Sequence, residues 1–439
     1  MTLAQLDKNY IWHPFTQEKN SKEQIIITKG EGIYLYDNNG KKYIDAISSW
    51  WTNLHGHACP EIVKAISDQA SKIEHVLFAS FSHEPALKLS EQIVNLLEDR
   101  KVSSQPLTRV FFSDNGSTSV EIALKMVYQY WQNKGQKKRK FIAFNKGYHG
   151  DTCGAMSVGK SSGFFKRFED LLFEVDFLPF PATWLGDNDI EVKENNALVE
   201  IENYVCKYKH EIAGLIIEPL VQGAGGFNIT RKSFLKSLMN ICRENEILVI
   251  FDEVMTGFGR TGELFACKKA QILPDLICLS KGITGGFLPF ATTVVREEIY
   301  EAFLGDSFEK AFAHGHSYTA NPIGCTAALA SLKLLVQQNT FEQFKMIEAL
   351  HIDRLQKLFA NNSLVKKPRV IGTIAAFDLD KDQAIYGGIF SDVIKKKFLE
   401  KGILIRPLGD VIYIMPPYCI CQDELNHIYD VIEFILGDI

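Results

Sequence analysis

No stretch of this chain approaches the roughly 20 consecutive apolar residues that cross a bilayer. Its first ten residues, M-T-L-A-Q-L-D-K-N-Y, hold neither a basic start nor an apolar run. A cytoplasmic protein with no membrane partner is therefore expected. Excess positive charge is lacking too: the formal net charge is −5. Without a basic footprint, nucleic acid is not an expected partner. The nine cysteines show no paired spacing for a metal. Cys419 and Cys421 form an isolated C-x-C, too little for a zinc site. The odd total of nine cysteines argues against a full disulfide set, and several sit in apolar runs as reduced core thiols would. Repeats and low-complexity segments are missing as well. What is present is the composition of a globular protein, 46% hydrophobic and 23% charged. A chain of 439 residues exceeds one ordinary domain, so two domains around a large core are expected.

The most informative stretch is 249–290. Two apolar runs, 247–251 and 276–279, read as buried strands of a parallel sheet. Each delivers charge to its C-terminal edge: Asp252 and Glu253 after the first, Lys281 after the second. Ligands of open α/β sheets bind at that edge. Gly282, Gly285 and Gly286 leave room behind the lysine. A buried lysine loses its proton readily and attacks carbonyls. A carboxylate opposite it suits a protonated pyridine nitrogen. Together they describe a pyridoxal phosphate site. The competing reading is a solvated lysine after a strand, beside a structural aspartate.

Other segments supply the rest of such a site. A short strand at 109–112 runs into S-D-N-G-S-T and then a helix. Helix N-termini present free N–H groups to phosphate, so Gly116 and Ser117 are candidates; an ordinary helix cap is the alternative. The strand at 141–144 leads to N-K-G-Y-H-G-D-T. Tyr148 there can lie on a planar ring, with Asp151 close by. The strand at 213–217 ends at Glu218, and a helix at 231–245 follows. This alternation predicts a parallel, helix-covered sheet. Nearer the start, strands at 25–28, 32–37 and 42–47 form hairpins around Asp37-Asn38-Asn39-Gly40. Two tryptophans, Trp50 and Trp51, follow, and both cannot face one core; at least one should face a cavity. Helices are expected at Pro60–Ala70 and Glu84–Leu97, and one long helix from 323 to about 359. Residues 160–205 read as an irregular surface excursion. The polar segment 311–322 offers Ser317 and Thr319 hydroxyls to a phosphate. From 368 onward, hairpin-like strands and a terminal helix are expected. Arg406 ends an apolar strand, placed either for a carboxylate ligand or for a structural salt bridge.

The run D-E-V-M-T-G-F-G-R-T-G, followed by P-D-L-I-C-L-S-K-G-I-T-G-G, resembles the fold-type I, class III aminotransferases. Further stretches resemble the biotin-pathway members of that class: I-W-H-P-F-T, S-S-W-W-T-N-L-H-G-H, Y-H-G-D-T-C-G-A-M-S-V, I-E-P-L-V-Q-G-A-G-G and I-R-P-L-G-D-V-I-Y-I-M-P-P. The resemblance implies an α/β fold with a large, mainly parallel domain and a smaller α+β domain from both termini. The divisions are an N-terminal segment 1–60, a large domain 61–325 and a small domain 326–439. It implies pyridoxal phosphate bonded to Lys281, with Asp252 at its pyridine nitrogen and Tyr148 over its ring. Gly116 and Ser117 would bind the phosphate. A homodimer with shared sites is implied, in which Gly315 and Ser317 reach the partner's cofactor. The implied substrates are S-adenosylmethionine and 8-amino-7-oxononanoate. Trp50 and Trp51 would hold the latter's alkyl chain and Arg406 its carboxylate, with Tyr413 and Asp151 nearby. No metal is implied. Three departures stand out. Phe15 replaces the usual tyrosine of H-P-Y-T, Gly315-His316-Ser317 replaces G-P-T, and Gln222-Gly223-Ala224-Gly225 lacks the acid of the glutamate-using relatives.

Overall fold

Seven apolar strands build the centre of the molecule. In the computed structural model, which describes residues 1–20, 23–98, 105–380 and 389–438, they form one sheet. Its order is Leu107–Ser113, Ala291–Arg296, Leu276–Leu279, Leu248–Asp252, Ile212–Ile217, Lys140–Phe144 and Asp176–Leu178. Every residue of Ile212–Ile217, Leu276–Leu279 and Ala291–Arg296 is buried. Continuous burial of this kind means that both faces of the sheet are covered. The helix Gly116–Asn133 covers part of one face, burying nine side chains from Ser119 to Trp131. The sheet is mainly parallel, as expected, but Ala291–Arg296 runs antiparallel to both its neighbours. Nothing in its apolar pattern distinguishes it from a parallel strand.

The two ends of the chain meet in a second sheet. Ile27–Glu31, Tyr34–Asp37 and Lys42–Asp45 pair antiparallel, and Ile403–Leu404 adds parallel to Lys42–Asp45. A third sheet, Val365–Ile371, Ile374–Leu379 and Val411–Ile414, is antiparallel throughout. Helix Gln422–Gly437 packs against helix Gln338–Asn361, where the buried His351 Nδ1 lies 2.8 Å from the Tyr429 hydroxyl.

Two expectations are corrected. Residues 160–205 are not irregular throughout: they hold the sheet-edge strand Asp176–Leu178 and most of the helix Ile190–Tyr208. That helix buries Glu194, Ala197, Ile201 and Val205. An acid within the buried stripe hides the apolar period. Glu194 is satisfied by a two-pronged bond from Arg231, at 2.9 and 2.7 Å. The long helix after 322 is in fact two, Pro322–Leu335 and Gln338–Asn361. Gln337 takes an extended backbone, and Thr340 donates its hydroxyl to the Leu334 carbonyl at 2.9 Å. That local bond competes with helix continuation. Among the described residues, no helix is long and apolar enough to cross a membrane.

Candidate active site

At the carboxyl edge of the large sheet lies a cavity of about 520 Å³. Four neighbouring strands feed it. Leu248–Asp252 ends in Asp252, and the turn after Leu276–Leu279 carries Lys281. The loop after Lys140–Phe144 carries Tyr148 and His149, and the one after Ile212–Ile217 carries Glu218. The start of helix Gly116–Asn133 forms a further wall. This is the crevice that a parallel sheet offers to ligands.

Asp252 is buried, and its Oδ2 lies 2.7 Å from His149 Nδ1. A carboxylate only accepts, so His149 donates. The other oxygen accepts the Val254 N–H at 3.1 Å. Asp252 is thereby held in one orientation. Lys281 has a left-handed backbone, φ +45°. Its Nζ stands 4.8 Å from the centre of the Trp51 ring. Burial holds the amine below its ordinary pKa, against the pull of the Asp252 and Glu218 carboxylates. Glu218 accepts the N–H groups of Tyr148 at 3.1 Å and Gly223 at 2.8 Å. Burial pushes its carboxyl up to about 7. Glu253 points elsewhere: it accepts the N–H groups of Ala266 and Cys267, both at 2.7 Å. The second acid at this strand end is a structural brace, not a cavity group.

The helix start has the features of an anion cradle. Asn115 caps the helix by accepting the Thr118 N–H at 3.0 Å. Ser117 is not needed for that task; its hydroxyl accepts the Asp151 N–H at 3.1 Å. The approach is close. A Cβ on Gly150, at φ +120°, would stand 2.1 Å from Ser117 Oγ, and one on Gly116 would stand 2.6 Å from a Val254 methyl carbon. An amine, an oriented acid, a helix N-terminus and a flat aromatic wall are the donor set of pyridoxal phosphate. The residues present fit that group.

The double tryptophan lies on a strained turn, Ser48–Trp51, with φ of +52° at Ser48, +59° at Ser49 and +67° at Trp51. Asp45 holds it, accepting from the Ser49 N–H and hydroxyl, each at 2.9 Å. The turn sends the two rings apart. Trp51 is buried, lines the cavity and donates its indole N–H to the Tyr413 hydroxyl at 3.1 Å. Trp50 is 42% exposed, with the Arg406 guanidinium 4.4 Å from its ring centre. The Phe15 ring lies 5.8 Å from Trp50 and 6.3 Å from Phe164. Phe164 in turn lies 6.0 Å from Tyr148.

The cavity thus gathers Lys281, Asp252, Tyr148, Gly116, Ser117 and Trp51. Asp151 stands beside it, accepting the Tyr148 hydroxyl at 3.0 Å. Trp50 and Arg406 lie outside its walls. So do Gly315 and Ser317, which are exposed. Their segment packs on the flank of helix Gly116–Asn133, where Lys125 Nζ meets His314 Nδ1 at 3.0 Å. Two residues escaped the sequence reading. His149 had a usable signal, standing next to Tyr148 at a strand end. Arg260 had only its place in the run G-F-G-R-T-G: it is fully buried and donates to the carbonyls of Asn53 at 2.9 Å and Pro416 at 3.0 Å, partners from distant segments. Among the described residues, no group of three His, Cys, Asp or Glu could hold a metal.

Comparison with known proteins gives a consistent picture. The model of the family described as Aminotransferase class-III matches residues 16–436. A Synechococcus elongatus protein named adenosylmethionine-8-amino-7-oxononanoate aminotransferase is 48% identical, over 98% of this chain and 99% of its own. One of the same name from Aquifex aeolicus is 39% identical, over 100% and 98%. The crystal structure of the Methanocaldococcus jannaschii protein of that name superposes with a TM-score of 0.90 at 38% identity, covering 99% of this chain and 98% of that one. An omega transaminase from Pseudomonas jessenii, solved in complex with PMP, gives 0.91 at 28% identity, covering 100% and 98%.

Proposed function

Because the chain belongs to the class-III aminotransferase family, we propose that it transfers the amino group of S-adenosylmethionine to 8-amino-7-oxononanoate, giving 7,8-diaminononanoate for biotin synthesis. The observation that carries this reading is the 48% identity, across 98% of the chain, to a relative of that name. The cavity alone would suit any member of the class, since omega transaminases share the fold at 28% identity.

Pyridoxal phosphate supplies the carbonyl that captures the amine and the electron sink that loosens the proton on the adjacent carbon. The chain does the rest. Lys281 Nζ, kept below its ordinary pKa by burial, takes up that proton and passes it on. Asp252 would pair with the protonated pyridine nitrogen, and His149 keeps its carboxylate aimed. Gly116 and Ser117 take the phosphate at the helix start, where the dipole favours an anion. Tyr148 supplies the flat wall. Trp51 shields the Lys281 amine from water on one side. Trp50 and Trp51 line the path of the acceptor's alkyl chain, and Arg406 takes its carboxylate.

The assembly that fits this reading is a homodimer with shared sites. Gly315 and Ser317 do not line their own cavity, and the ring of Tyr318, which follows Ser317, is 66% exposed. A second copy would cover that surface and bring Ser317 to its partner's phosphate.

The test is a half-reaction titration. The cofactor-loaded protein is mixed separately with S-adenosylmethionine, 7,8-diaminononanoate, lysine and glutamate while cofactor absorbance is followed. Loss of absorbance with the first two is expected. Response to the diamine and lysine alone keeps the product and replaces the donor. Response to glutamate without the diamine overturns the assignment in favour of a general ω-amino acid transaminase.

A further inference from the structure

Asp45 is fully buried, and both its oxygens are in use. Oδ1 accepts the Ser49 N–H at 2.9 Å and the Ile47 N–H at 3.3 Å. Oδ2 accepts the Ser49 hydroxyl at 2.9 Å and faces His57 Nε2, also at 2.9 Å. The direction of the last bond follows from its far end. The Gly56 N–H donates to Asn53 Oδ1 at 2.8 Å, which leaves the Asn53 amide nitrogen facing His57 Nδ1 at 3.2 Å. An amide nitrogen only donates, so Nδ1 accepts and Nε2 carries the proton to Asp45. Gly56, Asn53, His57 and Asp45 thus form one directional chain of hydrogen bonds. Its middle is fixed to the strand region: the His57 N–H donates to the Gly32 carbonyl at 2.7 Å, and a Cβ on Gly30 would stand 2.7 Å from His57 Cβ. Its end is the turn where Ser48, Ser49 and Trp51 all take positive φ. Such backbone persists only where the surroundings impose it, and it gathers at working sites. Here it sets Trp51 into the cavity wall, 4.8 Å from Lys281 Nζ.

We propose that Asp45, His57 and Asn53 are positioning residues that lock Trp51 into the cavity wall and thereby set the length of alkyl chain the site prefers. The inference rests on the reading of Trp51 as a wall for the acceptor's alkyl chain. None of the three lines the cavity; they act through the turn. A rigid ring rewards each methylene that reaches it, because burial of apolar surface scales with the length covered. A ring free to swing would bury short and long chains alike and lose that discrimination.

The experiment compares 7,8-diaminononanoate with an analogue two methylenes shorter in the half-reaction of the cofactor-loaded enzyme. The concentration giving half-maximal rate is read for each by cofactor absorbance. The wild type is expected to favour the longer chain by roughly tenfold, the worth of two buried methylenes. Asp45→Asn sets donor against donor at His57, and His57→Ala deletes the link. Each should bring the ratio below about threefold. His57→Gln, whose amide nitrogen can stand where Nε2 stood, should recover most of the preference. Cofactor absorbance after gel filtration reports folding. If the buried Asp45→Asn variant does not fold, His57, with 15% of its side chain exposed, carries the test. A ratio unchanged in folded His57→Ala makes the chain of bonds a plain brace and overturns the proposal, while the assigned reaction stands. So does a wild type indifferent to chain length. A wild type inert to 7,8-diaminononanoate overturns both.

Discussion

Asp252 and Lys281 differ in how much of their setting a neighbour must supply. Lys281 is placed by its own turn; Asp252 depends on His149, 103 positions away in sequence. His149→Leu should remove a charge-assisted hydrogen bond worth about 1.5–3 kcal/mol. Half-reaction rates should fall by about one to two orders of magnitude, with the protein still folded; a rate within twofold of wild type, taken as a rough threshold, would exclude an orienting role. Lys281→Ala should abolish steady turnover, and multiple turnovers without added amine would falsify the assignment of Nζ. Glu218 yields a pH prediction. Its carboxyl ionises near 4.5 when solvated and near 7 when folded. The unfolded chain therefore loses this proton first. The stability that Glu218 contributes is complete below pH 4.5 and declines as pH rises to about 7. Denaturant titrations of Glu218→Gln should show a flatter decline across that window. A slope equal to that of the wild type would count against the assignment.

At the scale of elements, the site is a set of close approaches between loops at one sheet edge. Gly150 shows how tight they are, because its missing Cβ leaves room for Ser117. Gly150→Ala would combine left-handed strain with a clash of 2.1 Å against Ser117 Oγ. About 2–5 kcal/mol of combined strain and overpacking should push the helix start away from the loop. Cofactor retention after gel filtration, read by absorbance, should drop sharply, while a fully loaded variant would exclude the cradle. Elements were legible where local rules agree. Pro60–Ala70 and Glu84–Leu97 lie where the pattern placed them, each with a proline in the first turn. Ile190–Tyr208 was not legible, because its buried stripe contains Glu194 and the partner Arg231 lies outside the window. The kink around Ser49 and Trp51 was also hidden: serine and tryptophan carry no preference for positive φ, and Asp45 imposes it from outside the turn.

On the scale of the whole molecule, segments from the two halves of the chain share one sheet, through the pairing of Lys42–Asp45 with Ile403–Leu404. That closure brings Tyr413 under Trp51 and Arg406 beside Trp50. The proposed dimer adds a second closure, and hybrids test it. In a shared-site dimer, a Lys281→Ala subunit beside a Ser317→Asp subunit leaves one site with both residues intact. Co-expression should then restore about a quarter of wild-type activity from two inactive parents. No recovery would mean that Ser317 serves its own subunit, or no cofactor at all.

By itself the sequence determined which charged and polar residues stand at the strand ends. Asp252, Lys281, Tyr148 and the Gly116–Ser117 pair were readable because each sits where a local pattern changes from strand to turn, and local patterns survive in one dimension. The tertiary structure alone decided who meets whom. It put His149 on Asp252, Arg260 under the turn of Trp51, Glu253 into a brace and Gly315 and Ser317 outside the cavity. It also reversed Ala291–Arg296 within the sheet. These pairings join segments far apart in sequence. Their geometry follows from how the whole core packs, and no spacing along the chain records it.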